Sequence, residues 1–274
     1  MTARRFYSGL LVCLLAGVGQ LEAQEREITP AESWQEMPAA GFVGCVPYRL
    51  GNQVRLDLTP EGLAGKELTI PRLFTSLRSA GFKGAPATKV EVVPEPTLWR
   101  VGWQKAPAEG SAIVLDCDWP PLLAEELKPI EAAGDGSLFL QGCWAKTCGE
   151  KLRYEPQPHK NTVGFWTKAD DEALWSFTVA RPGRYAVAIL QGCGKGQGGS
   201  DAVLTIGPPG EPGVDLAFSP IETGHFQNFR WVDLGAVVLE SAGQQELRVK
   251  PTRIAKAALC DIRAISLVPQ STAK

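Results

Sequence analysis

The feature that most constrains this chain is the length of its apolar runs. Nearly all are four to ten residues long, alternate at period two, and end at Gly or Pro. Such runs are too short for helices of ordinary length and carry the pattern of half-buried strands. Trp175-Ser-Phe-Thr-Val179 is the cleanest, with Trp175, Phe177 and Val179 on one face. Five glycines in ten residues, Gln191 to Ser200, separate two of these runs. The spacing Gly194-x-Gly196-x-x-Gly199 matches a dinucleotide fingerprint, but that fingerprint needs a helix to follow. Asp201-Ala-Val-Leu-Thr-Ile-Gly207 follows instead and is β-prone, so the nucleotide reading fails.

The first half holds such runs at Val54–Leu58, Leu68–Ile70, Lys89–Val93, Trp99–Trp103 and Ala112–Leu115. Trp99, Val101 and Trp103 share one face. Leu73 to Ala80 reads at most as a helical turn. The second half has runs at Ser137–Leu140, Lys151–Tyr154, Thr162–Trp166, Ala173–Val179, Arg184–Leu190, Ala202–Ile206, Asp215–Phe218, Val232–Leu239, Gln245–Val249 and Ala258–Leu267. The tight Arg181-Pro-Gly183 turn predicts an antiparallel hairpin between its flanking strands. The expected fold class is all-β: two β-sandwich domains, the second a jelly-roll. We place a signal peptide at 1–23, a flexible lead-in at 24–40, the first sandwich at 41–121, a linker with some helical character at 122–134, the jelly-roll at 135–269 and a tail at 270–274.

The N-terminal stretch carries Arg4-Arg5, an apolar core from Leu10 to Val18 and Ala23 before Gln24, the pattern of a cleaved secretory signal. Its apolar run is too short to span a bilayer. The expected location is therefore secreted or periplasmic. Removing Arg4, Arg5 and Glu22 leaves 26 Lys+Arg against 29 Asp+Glu, with no long run of either sign. That balance gives no electrostatic footprint for nucleic acid or an anionic membrane. Six cysteines remain: Cys45, Cys117, Cys143, Cys148, Cys193 and Cys260. In an exported chain all six are disulfide candidates, with the pairing left open.

Several long motifs of the second half occur together and in order: Gly149 to Trp166, Asp171 to Trp175, the glycine run with Ser200, Thr223-Gly-His-Phe-Gln-Asn-Phe229, and Leu234-Gly235. On these the region from about Asp135 to Pro269 resembles the C-terminal ancillary jelly-roll of secreted bacterial α-L-fucosidases and sulfatases. That module is galactose-binding-like, similar in fold to carbohydrate-binding modules. Cys148 stands where those relatives have His before Gly, and Cys260 where they have Met before Asp. Both departures create a cysteine, which favours a disulfide particular to this chain. More weakly, Gly62 to Pro71 and Ala112 to Asp116 resemble the β-sandwich that follows the catalytic barrel of such fucosidases. The barrel itself takes about 250 residues, far more than precede Gly41. The resemblance implies the accessory half without the catalytic one.

No catalytic residues are assigned. Asp170 and Asp171 are adjacent, so strand geometry would send them to opposite faces, and the stretch reads as a solvated loop with Asp171 capping or fixing a turn. Asp116 and Asp118 mark a strand's exit to solvent. Ser200 lacks the Gly-x-Ser-x-Gly elbow. A zinc site from His159, His225, Cys148 and Cys193 lacks any short ligand pair. No cofactor is expected, although a structural calcium ion on loop carboxylates near Asp171 and Asp201 fits better than zinc.

Sugar binding has a closer match in residue types, because it pairs an aromatic face with amide, imidazole and ammonium groups. The loops supply His159, Lys160, Asn161, Trp166, Lys195, Gln197, His225, Gln227 and Asn228. Of these, all but Lys160 form the expected site, with the glycine run adding free backbone N–H and C=O groups. Trp166 is open to either role, platform or core. The sequence reading is thus a non-catalytic, exported protein whose partner is a glycan or polysaccharide, supporting its breakdown. A docking module for a secreted hydrolase or sulfatase is the alternative, and a cryptic hydrolase or lyase ranks third.

Overall fold

A computed structural model describes residues 33–107 and 112–270. The signal peptide, most of the lead-in and all but one residue of the tail lie outside the described residues. Among those described, no helix is long and apolar enough to cross a membrane.

Eight strands build the first sandwich: β1 (Gln35–Glu36), β2 (Cys45–Leu50), β3 (Gln53–Leu58), β4 (Glu67–Pro71), β5 (Leu77–Phe82), β6 (Val90–Pro94), β7 (Leu98–Trp103) and β8 (Ala112–Cys117). One sheet runs β1-β2-β3-β8-β5 and the other β4-β7-β6. Alternation places Trp99, Val101 and Trp103 of β7 in the core against Val54, Leu56, Ile113 and Leu115. A short helix α1 (Pro60–Gly65) starts on Thr59, whose hydroxyl accepts from the Gly62 N–H. Two features depart from the sequence expectation. Part of the lead-in forms β1 and buries Met37. The stretch read as a helical turn is β5, whose partner β8 supplies the ladder that local pattern could not reveal.

Twelve strands build the second sandwich: β9 (Ile130–Glu131), β10 (Leu138–Gln141), β11 (Lys146–Cys148), β12 (Arg153–Glu155), β13 (Thr162–Gly164), β14 (Glu172–Val179), β15 (Gly183–Gly192), β16 (Asp201–Gly207), β17 (Val214–Phe218), β18 (Arg230–Leu239), β19 (Gly243–Arg253) and β20 (Asp261–Pro269). One sheet runs β12-β13-β20-β15-β18, with β10 also on β20. The other runs β11-β14-β19-β16-β17, with β9 also on β14. From β14 to β20 the chain changes sheet at every connection except the β16–β17 hairpin, which is the Greek-key winding of a jelly-roll.

The hairpin expected at Arg181-Pro-Gly183 does not form. β14 pairs with β19 and β15 with β18 and β20, so this turn carries the chain between sheets. The reason is that both strands bury a full face, Trp175, Phe177 and Val179 on one and Tyr185, Val187 and Ile189 on the other. Those faces pack across the sandwich rather than side by side. The corner is held by the Tyr185 hydroxyl donating to the Arg181 carbonyl at 2.7 Å.

The connection between the sandwiches contains a three-residue 3-10 turn, Ala124–Glu126, where the sequence suggested more helix. Glu126 accepts from Arg49 at 2.7 and 2.8 Å and from the Leu123 N–H. The two sandwiches also meet directly. The Leu77 N–H donates to the Pro156 carbonyl at 3.0 Å, and Gln157 Nε2 to the Val92 carbonyl at 2.8 Å.

Arg72 lies at the centre of this contact and is only 4% exposed. Its guanidinium donates to Thr147 Oγ1 (3.2 Å) and the Cys143 carbonyl (3.4 Å) and sits over the rings of Phe74 and Tyr154. Its Nε finds no acceptor, and burial lowers its pKa to about 10. Neutral acceptors and ring faces compensate a buried cation only in part. Arg72→Met should therefore hold stability within about 1 kcal/mol, whereas Arg72→Ala should cost about 2–4 kcal/mol through the cavity. Urea denaturation of both variants checks this.

None of these six cysteines is in a disulfide, Cys148 being exposed and the others buried, so the disulfide expectation is corrected. For Cys45 and Cys117 the strand register gives the reason. Cys45 faces Leu58 and Cys117 bonds to Asn52, at opposite ends of β3. That separation is about 20 Å, well beyond a disulfide's reach. Cys143 lies buried in the Gly142–Trp144 turn while Cys148 faces solvent. Cys193 and Cys260 pack in the core beyond the β15–β20 ladder, where burial raises both thiol pKa values. Cys193 Sγ contacts the Leu259 carbonyl at 3.8 Å.

Candidate functional site

The glycine run is folded onto the 221–229 loop. Gly194 bridges Gly224, the Cys193 N–H donates to the Thr223 hydroxyl (2.9 Å), and the Lys195 N–H to the Gly224 carbonyl (3.2 Å). Glu222 accepts the N–H groups of Gly196 (3.0 Å) and Gly198 (3.1 Å), which lowers its pKa. A Cβ on Gly192 would stand 1.9 Å from the Phe226 carbonyl oxygen, so only glycine allows this contact. These N–H groups are already spent inside the protein. The expectation that the run offers a free backbone wall is corrected.

Several expected site residues act within these loops. Trp166 is 0% exposed, and its Nε1 donates to the Asp171 carbonyl at 3.0 Å. It is core, because β13 and the loop after it fold inward, and it cannot serve as a platform. Asn161, at φ 43°, accepts from the Tyr154 hydroxyl (2.8 Å). Gln197 Oε1 accepts from the Ala257 N–H, His225 Nδ1 from the Gln227 N–H, and Asn228 Nδ2 donates to the Thr223 carbonyl. Lys195 and His159 are exposed. The Asp171 carboxylate is filled by the N–H groups of Glu150, Lys151 and Leu152, and Asp201 by Ser219 and Arg253. The calcium reading loses its ligands to these bonds. Among the described residues no group of three or more His, Cys, Asp or Glu is placed to hold a metal ion.

What the fold does assemble is the outer face of the sheet β12-β13-β20-β15-β18. Val163 pairs with Ile262 and both are fully buried, so Gly164 points outward. A Cβ there would meet Asp261 Oδ1 at 2.6 Å and Glu155 Oε2 at 3.3 Å, which sets these two carboxyl groups side by side over the glycine. Lys160 Nζ donates to Glu155 Oε1 at 2.7 Å, and Gln227 Nε2 reaches Asp261 Oδ2 at 3.4 Å. Arg263 donates to the carbonyls of His159 and Lys160 and lies 3.8 Å over the Phe229 ring. Thus the 157–164 segment and the 225–229 loop meet through Asp261 and Arg263. The glycine run flanks the 221–226 loop instead. Of the expected residues, Gln227 joins this face and His159 its rim.

Phe229 ends the 225–229 loop just ahead of β18, with its ring under the Arg263 guanidinium, and Trp231 follows it at the start of the strand. Trp231, Leu190 and Ala264 form one row across β18, β15 and β20, while neighbouring Ile189 and Ile265 point into the core. Phe139 pairs with Ser266 in the next row. Phe139 and Trp231 are three strand spacings apart, about 14 Å of backbone. Their ring centroids are nonetheless 6.2 Å apart, so they lean together across the strands between them. Trp231 remains 48% exposed. Sequence reasoning named neither ring. The signal was the alternation of Trp231 with Val232 and Leu234, which turns the indole away from the core. Two cavities lie elsewhere, on the β4-β7-β6 sheet and beside Leu127–Ile130. The face is an open platform, the form that stacking on a ring requires.

Among solved structures, the chain is similar to an α-L-fucosidase from Vibrio sp. strain EJY3 at 14% identity and TM-score 0.34, covering 86% of this chain and 42% of that one. It thus spans less than half of that enzyme. It is also similar to the C-terminal CBM6 of LamC from Zobellia galactanivorans (17% identity, TM-score 0.37, 48% of this chain and 98% of that one). A third is the carbohydrate-binding module CBM6cm-2 of Cellvibrio mixtus lichenase 5A, in complex with cellotriose (16%, TM-score 0.40, 49% and 98%). No family model matches the chain. No curated protein matches it.

The carboxyl pair sets the electrostatics. Burial, then the charge of Glu155, raises the Asp261 pKa to about 7, against the opposing pull of Lys160, Gln227 and Arg263. Asp261 is 5% exposed and shielded from solvent. Because its folded pKa lies above the unfolded value, the folded state binds the extra proton between about pH 4 and 7. This group's cost to the fold is absent below pH 4, grows as pH rises, and is complete above about 7. Asp261→Asn should flatten that part of the stability profile, measured as thermal midpoint against pH.

Proposed function

We propose that this chain is a non-catalytic carbohydrate-binding protein, exported by its N-terminal signal, whose glycan lies on the outer face of the β12-β13-β20-β15-β18 sheet. The observation that carries this reading is the half-exposed Trp231, leaning toward Phe139 on an outward sheet face beside a charged cluster. An indole face takes the C–H side of a pyranose, and fixed polar groups bond its hydroxyls. Lys160 and Arg263 offer donors and Glu155 an acceptor, already held in place by one another. The second sandwich at 135–269 is the binding domain, and the first, at 41–121, supports it. The role is to keep a polysaccharide within reach of a separate degrading enzyme.

A glycan array probed with the mature chain tests the reading. Retention on at least one glycan is expected, and no retention on any, with the fold intact by circular dichroism, contradicts it. One observation favours enzymatic action: Asp261, whose carboxyl pKa burial raises well above the usual range, stands beside the Glu155 carboxyl over Gly164, the arrangement of an acid paired with a second carboxyl group. Turnover of a retained glycan, abolished in Asp261→Asn, would establish that reading instead.

A further inference from the structure

We propose that the first sandwich sets the geometry of the candidate face on the second, with Gln157 as the positioning residue that holds Lys160 against Glu155. The inference rests on the reading of that face as the glycan site. Glu155 closes the β12–β13 ladder against Thr162, so residues 156–161 form the loop between the two strands. Pro156 and Pro158 flank Gln157 and supply no N–H, which leaves the loop fewer donors with which to hold itself. The N–H groups of Lys160 and Asn161 both donate to the Gln157 carbonyl at 2.8 Å. Wherever Gln157 sits, the turn that carries Lys160 follows.

The first sandwich fixes Gln157. Its Nε2 donates to the Val92 carbonyl of β6 at 2.8 Å, and the Leu77 N–H of β5 donates to the preceding Pro156 carbonyl at 3.0 Å. The far end of the loop is tied in a similar way. Asn161, at φ 43°, accepts from the Tyr154 hydroxyl, and the Tyr154 ring lies under Arg72 of the first sandwich. From the β20 side Arg263 holds the loop through the His159 and Lys160 carbonyls. Between these anchors Lys160 Nζ donates to Glu155 Oε1 at 2.7 Å, and the Glu155 carboxyl stands beside Asp261 over Gly164. The tie between the sandwiches thus ends on the ammonium group that the proposed site offers to a sugar hydroxyl.

The test uses the full mature chain and a first readout that needs no glycan. Burial and the Glu155 charge raise the Asp261 pKa, and Lys160 opposes them, ahead of Gln227 and Arg263. The Asp261 carboxyl is followed by carbon-13 NMR against pH. Gln157→Met keeps the length of the side chain and removes its bond to Val92. It should release Lys160 and raise the Asp261 midpoint. Lys160→Gln should raise it at least as far, and the double variant no further than Lys160→Gln alone, because Gln157 acts through Lys160. Affinity for the array glycan that the mature chain retains best should fall about threefold to tenfold in Gln157→Met, the worth of one neutral hydrogen bond, with the same non-additivity. An unmoved Asp261 midpoint in Gln157→Met overturns the inference, as do additive effects of the two substitutions or an unchanged glycan affinity. Retention of no glycan by the mature chain, with Asp261 still responding to Gln157→Met, contradicts the proposed function alone.

Discussion

Trp231→Ala is expected to lower glycan affinity about tenfold to a hundredfold while leaving thermal stability nearly unchanged. The ring is half exposed on an outward row of β18, so its removal opens no core cavity. A sugar stacked on it would bury most of the remaining apolar area, a contribution of about 1.5–3 kcal/mol. Each 1.4 kcal/mol is a factor of about ten in affinity. Trp231→Phe keeps a ring face with less area and should lose less. Phe139→Ala should fall between, because Phe139 shapes the platform from β10 and tilts at 52° against the indole. Calorimetric titration of the three variants with one retained glycan measures the order.

Asp171→Ala is expected to produce the largest loss of stability, about 3–5 kcal/mol, with no role in ligand contact. The side chain is buried and accepts three backbone N–H groups, from Glu150 (2.6 Å), Lys151 (2.9 Å) and Leu152 (2.7 Å). Gly149, at φ 115°, leaves room for the carboxylate, which a Cβ there would meet at 2.1 Å. Truncation strands those donors, at least one of them fully buried, and each orphaned group costs about 1–3 kcal/mol. The turn it fixes leads into β12 and so positions Arg153 and Glu155 on the candidate face. Asp171→Asn retains one carbonyl oxygen and should lose roughly half as much. Urea unfolding at neutral pH, with glycan retention measured on the folded fraction, separates the stability loss from any binding loss.

The strands of this protein were legible because period-two alternation records burial directly, as in Trp175, Phe177 and Val179. Pairing was less so. The Arg181-Pro-Gly183 turn carries every local sign of a hairpin, yet two strands that each bury a large aromatic face do better packed across a sandwich. β5 escaped notice because Leu77–Phe82 buries only its two ends and owes its form to β8. The role of Asp171 in fixing a turn followed from its neighbours in the chain. The candidate face did not, since Glu155, Asp261, Trp231 and Phe139 lie far apart in sequence and come together only through the register of β20 with its neighbours. Polar loop residues such as Asn161, Gln197 and Asn228 drew attention by type, but the fold uses their side chains to tie loops together. Residue type alone does not distinguish a group offered to a ligand from one spent on its own backbone.

In the proposed function the sheet face, and not the glycine run, holds the glycan. Calorimetric titration of one retained glycan against the mature chain, Trp231→Ala and Lys195→Ala decides it most directly. Saturable binding to the unaltered protein, a drop of about tenfold or more for Trp231→Ala, and unchanged affinity for Lys195→Ala are expected. Full affinity in Trp231→Ala together with loss in Lys195→Ala would place the ligand at the glycine run and contradict the account.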